Sequence, residues 1–425
     1  MFKVNKMGNF TQTVSIDSAG RSSKNSSRAF IVATAFFSML AIVGFAYYGV
    51  PFYFDFMMKD FGWSSATVTS GNAVAKLSVG ILFGFITGYL IDKYGPRRML
   101  MVGAVVGGFS LFGLGSMGGS LWTFYLFYIF NALGYVLGGP LPCQVLISRW
   151  FDRNRGKAMG IAYLGIGIGG AVAPLISRAM ISNFGWHNAL CGLGILVVLI
   201  AFPFAFFVKD NSQFSVSDTK EKEMVPMRDI LRNRNFYLLG IGSMCSVAAV
   251  GGIIQHLKIY LVANNFDQSQ AAYVTSLILW SSLAGRILMG TLADLIHRKH
   301  VMILIYMIVG CAISLLLLPD FPFRIYISAV IFGVGLGGDY MIVPLMAGDL
   351  FGVKALGRTM GIILIAEVIS EANFPVVVGI IRDATHSYTL GFILLICMAF
   401  LGTIIVSCLP DTKRKLEIHN AMEQS

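Results

Sequence analysis

Five ionisable residues stand inside stretches that are otherwise apolar: Lys76, Arg286, Asp339, Glu367 and Glu371. A charge at the centre of a bilayer costs about 2.5–3.5 kcal/mol on insertion scales, so each needs a partner or a task. An arginine presents a planar fork that binds a carboxylate through two hydrogen bonds. A carboxylic acid in a low-dielectric interior favours its neutral form and can carry a proton near neutral pH. Arg286 is therefore a candidate anchor for an anion, and Asp339, Glu367 and Glu371 are candidate proton carriers. Glu367 and Glu371 are i and i+4 and share a helix face. Arg286 has a second reading, as the permanent partner of Asp339 or Glu367 in a buried structural pair. Lys76 either completes an anion site or snorkels to the interface. Tyr48 (in a cluster with Tyr47, Phe52 and Tyr53), Tyr135, Gln144, Gln255 and His256 are candidate pocket residues. Aromatics of this kind also pack or face lipid, and a lone histidine also serves as a hydrogen-bonded packing residue.

The elements that must position these residues are membrane helices. The chain has 425 residues, 56% hydrophobic and 12% charged, with a mean hydropathy of +0.74. A soluble protein carries about twice that charged fraction. The apolar residues fall into about twelve runs, each near the roughly 20 residues that cross a bilayer. The expected division is a polar tail over 1–28, a six-helix bundle over 29–208, a charged linker over 209–235, a second six-helix bundle over 236–410 and a tail over 411–425. The net charge of +11 is not a nucleic-acid signature. Its lysines and arginines fall on alternate loops, which is the positive-inside pattern, and both termini are expected to be cytoplasmic. The six cysteines are scattered with no paired spacing and read as buried core residues. Trp63, Trp122, Trp150 and Trp186 sit near run ends, as interfacial anchors do.

Two loops repeat. Gly88, Asp92, Lys93, Gly95, Arg97 and Arg98 join the second and third runs, and Gly290, Asp294 and Arg298 join the eighth and ninth. In each, a glycine stands four residues before an acid, so the two share a helix face. The glycine admits a neighbouring helix, and the acid pairs with a cation or caps a helix end. Arg155-Gly156-Lys157-Ala158-Met159-Gly160 likewise returns as Gly357-Arg358-Thr359-Met360-Gly361, at a similar offset of roughly 200 residues. Such offsets indicate parallel repeats with a substrate site between the halves, near the midplane.

These motifs resemble the major facilitator superfamily, over nearly all of residues 29–410. Phe61-Gly62-Trp63, Arg149-Trp150-Phe151, Gly251 to His256, Gly335 to Tyr340 and Arg382-Asp383 narrow the resemblance to its monocarboxylate-porter-like and oxalate/formate-antiporter-like members. The resemblance implies an all-α fold of twelve helices in two pseudo-repeats, with helices 1, 2, 4, 5, 7, 8, 10 and 11 lining a cavity. It places Arg286 where carboxylate porters bind their substrate. It implies that the repeated loops gate the transporter. One departure is that helix 11 offers Glu367 and Glu371 where oxalate-type antiporters have a lysine, which argues against a small dianion.

The expected function is alternating-access transport of a small organic anion with a proton, by a monomer in the plasma (cell inner) membrane. In the empty protein, Arg286 is expected to pair with an acid. The rival readings are proton-driven efflux of amphiphilic compounds and a non-transporting sensor or accessory protein. There is no phosphate-binding loop, no metal-ligand spacing and no Gly-x-Ser-x-Gly elbow, so no enzyme, cofactor or metal is expected.

Overall fold

The computed structural model describes residues 27–208, 227–319 and 323–411. Of the expected tails over 1–28 and 411–425, residues 1–26 and 412–425 lie outside the described residues, as does the 209–226 part of the linker. Among the described residues there are helices and no strand. Helix is the fold that lets a lone segment satisfy its own backbone in lipid.

We number the long helices in chain order. In the first half they are α1 (Ser27–Phe61), α2 (Ser65–Tyr94), α3 (Pro96–Gly115), α4 (Leu121–Trp150), α5 (155–184) and α6 (186–207). In the second half they are α7 (Arg234–Ala263), α8 (Gln268–Leu295), α9 (Arg298–Leu317), α10 (Arg324–Phe351), α11 (Leu356–Thr385) and α12 (Thr389–Ser407). Among the described residues, ten helices meet the length and hydropathy of a membrane span. One of these is the continuous 53-residue rod Arg155–Phe207, which Gly185 divides by adopting a left-handed φ of 76°. Counting α2 and both parts of that rod gives the twelve segments that the hydropathy pattern leads one to expect.

Sequence signals end the helices where they should. Ser64 caps α2 by accepting from the Thr67 N–H at 3.2 Å. Asp267 and Gln270 form a capping box at the start of α8. Gly95, at φ 84°, stops α2, and Pro96 opens α3. Helix α1 departs from regularity: Met39–Tyr47 is π-helical, with Tyr48 N–H bonded to the Val43 carbonyl. The buried Asn131 of α4 donates to the Ala46 carbonyl in this stretch, at 3.0 Å.

The halves meet along two equivalent seams, α2 on α11 and α5 on α8. Glycines make both seams close. A Cβ on Gly88 would lie 2.2 Å from the Gly357 carbonyl, and one on Gly156 would lie 2.2 Å from the Gly290 carbonyl. Gly361 meets Gly84, and Gly160 meets Arg286, in the same way one turn further along. Small residues set this approach because lipid supplies no hydrophobic drive between helices. Within each half, the core is buried apolar side chains of neighbouring helices.

Two expectations change. Trp122 is 86% exposed, as an interfacial anchor should be, but Trp186 is buried and bonds the Asp60 carboxylate through Nε1. Three of the cysteines, 311, 397 and 408, are exposed on the helix bundle and not buried, because their helices present one face outward.

Candidate functional site

At the face that carries the ends of the described chain, the two acids of the repeated loops close the seams. Asp92 accepts from the N–H groups of Gly357 and Arg358, at 3.2 and 3.0 Å, and from Arg358 Nε at 3.1 Å. Asp294 accepts from the N–H groups of Gly156 and Lys157, at 2.9 and 2.8 Å. Each acid therefore caps the first turn of a helix in the opposite half, where unpaired N–H groups and the helix dipole favour an anion. The two latches are not equal. The Asp92 side chain is 1% exposed and ion-paired, whereas Asp294 is half-buried, and the arginine on its own helix-connecting loop, Arg298, pairs instead with Asp349.

The other loop residues support the turn. Arg97 donates to the Phe206 carbonyl at the end of α6 and lies over the Phe206 ring, so it ties α3 to α6. Lys93 is exposed beside the rings of Tyr89 and Tyr94, and Arg98 is exposed. Gly95 N–H closes the turn onto the Ile91 carbonyl at 2.9 Å.

Beyond these latches, a cavity opens between the halves, with about 140 Å³ of room for water-sized molecules. Its first wall comes from Tyr47 and Tyr48 of α1, Tyr135 and Gln144 of α4, and Tyr163 of α5. Its second comes from Asp339 and Tyr340 of α10 and from Glu367 and Glu371 of α11. Apolar residues of α2, including Ala75, Val79 and Gly80, floor the gap. Tyr47 stacks near Tyr135, with ring centroids 4.8 Å apart, and Gln144 donates to the Tyr163 hydroxyl. The cavity is thus three carboxyl groups, five phenol rings and the Gln144 amide in an otherwise apolar shell.

The structure brings Tyr48, Tyr135, Asp339, Glu367 and Glu371 together in this cavity and leaves three candidates off its wall. Gln255 is exposed. His256 bonds the Pro375 carbonyl through Nε2 at 2.8 Å and packs near Tyr388, so it clasps α7 to α11. Arg286 is 6% exposed and sits one layer behind the cavity wall, where Nη1 donates to the Tyr163 carbonyl. The side chain of Lys76 lies outside the described residues.

The expected ion pair of Arg286 with an acid is not formed. Close packing of α5 on α8 offers its guanidinium a main-chain acceptor, and Ser246 and Ser243 of α7 occupy Asp339 and Glu367. Among the described residues Arg286 Nε is buried without a hydrogen-bond partner, and Tyr48, Tyr163 and Tyr340 are its electrostatic neighbours. The arginine is therefore a strut between the halves with donor capacity to spare. Sequence reading passed over Tyr163, Tyr340, Ser243 and Ser246. Tyr163 follows Gly156 and Gly160 along the seam face of α5, and the serines are three apart on α7, so both patterns were available as helical spacing.

Two pseudo-equivalent helix bundles, mirrored latches and a polar cavity on their axis define a multi-pass membrane transporter. The sequence model of the Major Facilitator Superfamily matches residues 35–267 and 243–424, and the chain belongs to that family. It is not an enzyme. It is 25% identical over 333 residues to the agnestins efflux protein AgnL12 of Paecilomyces divaricatus, covering 75% of this chain and 70% of that protein. It is 26% identical over 337 residues to the probable sulfoacetate transporter SauU of Cupriavidus necator (72% and 76% covered) and 23% identical over 351 residues to monocarboxylate transporter 12 of Rattus norvegicus (74% and 72%). Among solved structures, the fucose:proton symporter FucP of E. coli superposes with a TM-score of 0.68 at 15% identity, over 89% of this chain and 98% of that one, which shows a shared fold.

Proposed function

We propose that this transporter moves a small amphipathic organic acid together with a proton. The observation that carries the reading is the cavity wall: three carboxyl groups and five tyrosines, with Arg286 directly behind Tyr163. Phenol rings bind an apolar body and offer hydroxyls to a polar end. Arg286 supplies the attraction for a carboxylate, which it reaches when the Tyr163 carbonyl contact is released. Glu367, with Asp339 and Glu371 beside it, supplies the proton site. Relatives named for sulfoacetate and monocarboxylate transport lend the reading support. The test is thermal stabilisation of the purified protein by lactate and benzoate, followed by their uptake into proteoliposomes under a pH gradient. Stabilisation and gradient-driven uptake of either acid support the reading. Failure of both acids to bind at any pH rejects it.

The second reading, proton-driven efflux of amphiphilic compounds, is favoured by the five tyrosines and the aliphatic residues of the lining and by relatives named as efflux proteins. It reverses one result: a proton gradient then expels an amphiphile from vesicles and leaves benzoate unmoved.

The face closed by Asp92 and Asp294 is assigned to the cytoplasm of the plasma (cell inner) membrane. Basic residues on its loops, including Arg97, Arg98, Arg153 and Lys299, support this. Reporters fused to either terminus are expected to be active only in the cytoplasm, and activity only outside overturns the assignment.

A further inference from the structure

We propose that Ser243 and Ser246 are positioning residues that join Asp339 and Glu367 into one proton-binding unit, which loads and empties as α10 moves against α7 and α11. The inference rests on the reading of Glu367 as a proton carrier and names the machinery around it.

The argument starts from where hydroxyls go. Among the described residues many intramembrane serines and threonines bond a carbonyl of their own helix, as Ser110, Ser282, Thr291 and Ser314 do. That is their ordinary recourse in lipid, where nothing else is in reach. Ser243 and Ser246 depart from it. Both are 0% exposed and one helical turn apart on α7. Ser243 donates to Glu367 of α11, and Ser246 donates to Asp339 of α10 at 2.8 Å. One helix face therefore holds two carboxyl groups carried by two other helices.

The attachment is uneven. Between the two serines, the Met244 carbonyl accepts from Ser370 of α11 at 2.7 Å, so α7 and α11 are bonded twice at this level. Helix α10 is held to α7 at this level through Ser246. Moving α10 breaks that bond while the Ser243–Glu367 bond persists. From the far side, Tyr306 of α9 is fully buried, its hydroxyl has no hydrogen-bond partner among the described residues, and its electrostatic neighbours include Asp339 and Glu367. It is a spare acceptor or donor at the pair.

The other groups facing the pair are Glu371 on α11, Tyr340 on α10 and Tyr163 on α5, while Cys245 on α7 neighbours Tyr306. Among the described residues no basic side chain bonds Asp339 or Glu367. Two such carboxyl groups cannot both be charged cheaply in this setting, so a proton on one favours the charged form of the other, and they titrate as a pair. A serine that donates to a carboxylate favours the ionised form, and through the pair its removal is felt at both sites.

The experiment is infrared pH-difference spectroscopy of the carboxyl stretch on the full-length protein in lipid, which needs no substrate. Glu367→Gln and Asp339→Asn assign the bands. Ser243→Ala is expected to move the Glu367 band to higher pH by about one to two units, the size of a hydrogen bond to a charged group, and the coupled Asp339 band to lower pH, and Ser246→Ala is expected to do the reverse. Ser243→Thr restores the wild-type titration, and Ser314→Ala on α9 leaves it unchanged. Serine variants that move only the adjacent carboxyl, or neither, overturn the proposal. Its fate separates from that of the transport reading. Coupled bands with uptake indifferent to a pH gradient support the pair and reject proton-coupled transport. Gradient-driven uptake that only Glu371→Gln abolishes, with uncoupled bands, does the reverse.

Discussion

Asp92→Ala is expected to lower the maximal transport rate at least tenfold while leaving substrate affinity within about threefold. The reason lies in what the carboxylate holds. Without it, the Gly357 and Arg358 N–H groups lose their acceptor, and the Arg358 guanidinium, 8% exposed, loses its anion. Breaking a buried pair of this kind costs about 3–5 kcal/mol. That cost falls on the state in which this face is shut. When the face opens, water solvates the same groups. The equilibrium between the two faces therefore shifts by roughly 10²–10⁴-fold toward the open one, and the cycle stalls. Affinity is spared because the cavity residues are not touched. Asp92→Asn keeps one acceptor and is expected to lie between.

The mirrored acid provides the control. Asp294→Ala removes two bonds to neutral N–H groups at a half-exposed helix end, a loss of the capping kind worth about 0.5–2 kcal/mol. Its effect on rate is expected to be several-fold smaller than that of Asp92→Ala. Distances between spin labels at Tyr94 and Lys354, on the two sides of the α2–α11 seam in a cysteine-free background, should lengthen and broaden in Asp92→Ala. Equal effects of the two variants, or unchanged distances, reject an unequal pair of latches.

The latches are also where sequence reading reached furthest. Gly88 with Asp92 and Gly290 with Asp294 announce a close helix approach beside an anion at a helix end, and both halves of that statement are local. What a sequence lacks is the partner. That each acid caps the other half's helix, at Gly357 and Gly156, depends on the pseudo-two-fold arrangement of bundles some 200 residues apart in the chain. The membrane helices were legible because hydropathy and the positive loops are one-dimensional signals. The cavity was half legible for the same reason. Depth along a helix follows from counting residues: Asp339, ten before Asp349, and Glu367, ten after Gly357, each stand about 15 Å from the latch face, and Arg286, eight before Asp294, about 12 Å, but rotation about the axis does not follow. Arg286 lies at that level and yet turns toward the α5 seam, and Gln255 turns outward. The hydroxyl partners of the acids escaped because a serine on an apolar helix carries no charge to flag it.

The remaining large effect concerns Arg286 and Glu367 together. Arg286→Lys is expected to raise the half-saturating concentration of a carboxylate substrate about ten- to a hundredfold, with a smaller change in maximal rate. Lysine keeps the charge and loses the fork. A hydrogen bond to a charged group contributes about 1.5–3 kcal/mol, which sets that range. The strut to the Tyr163 carbonyl is a single bond that an ammonium can still make, so folding and the α5–α8 seam should survive. Glu367→Gln is expected to abolish accumulation driven by a pH gradient while preserving exchange of substrate for substrate. The amide accepts from Ser243 as the carboxylate does but cannot take up and release a proton. On the proposed reading, an anion that draws Arg286 from Tyr163 into the cavity is balanced by the arginine but repelled by any ionised carboxyl beside it, so its binding favours a protonated Glu367, which is how binding of the two becomes linked. In Glu367→Gln that link is gone and the substrate alone permits reorientation. Uptake and counterflow of radiolabelled benzoate in proteoliposomes, with and without an imposed gradient, measure both variants. If both keep wild-type gradient-driven uptake, Arg286 is only a strut and Glu367 only a packed acid, and the coupling must run through Glu371.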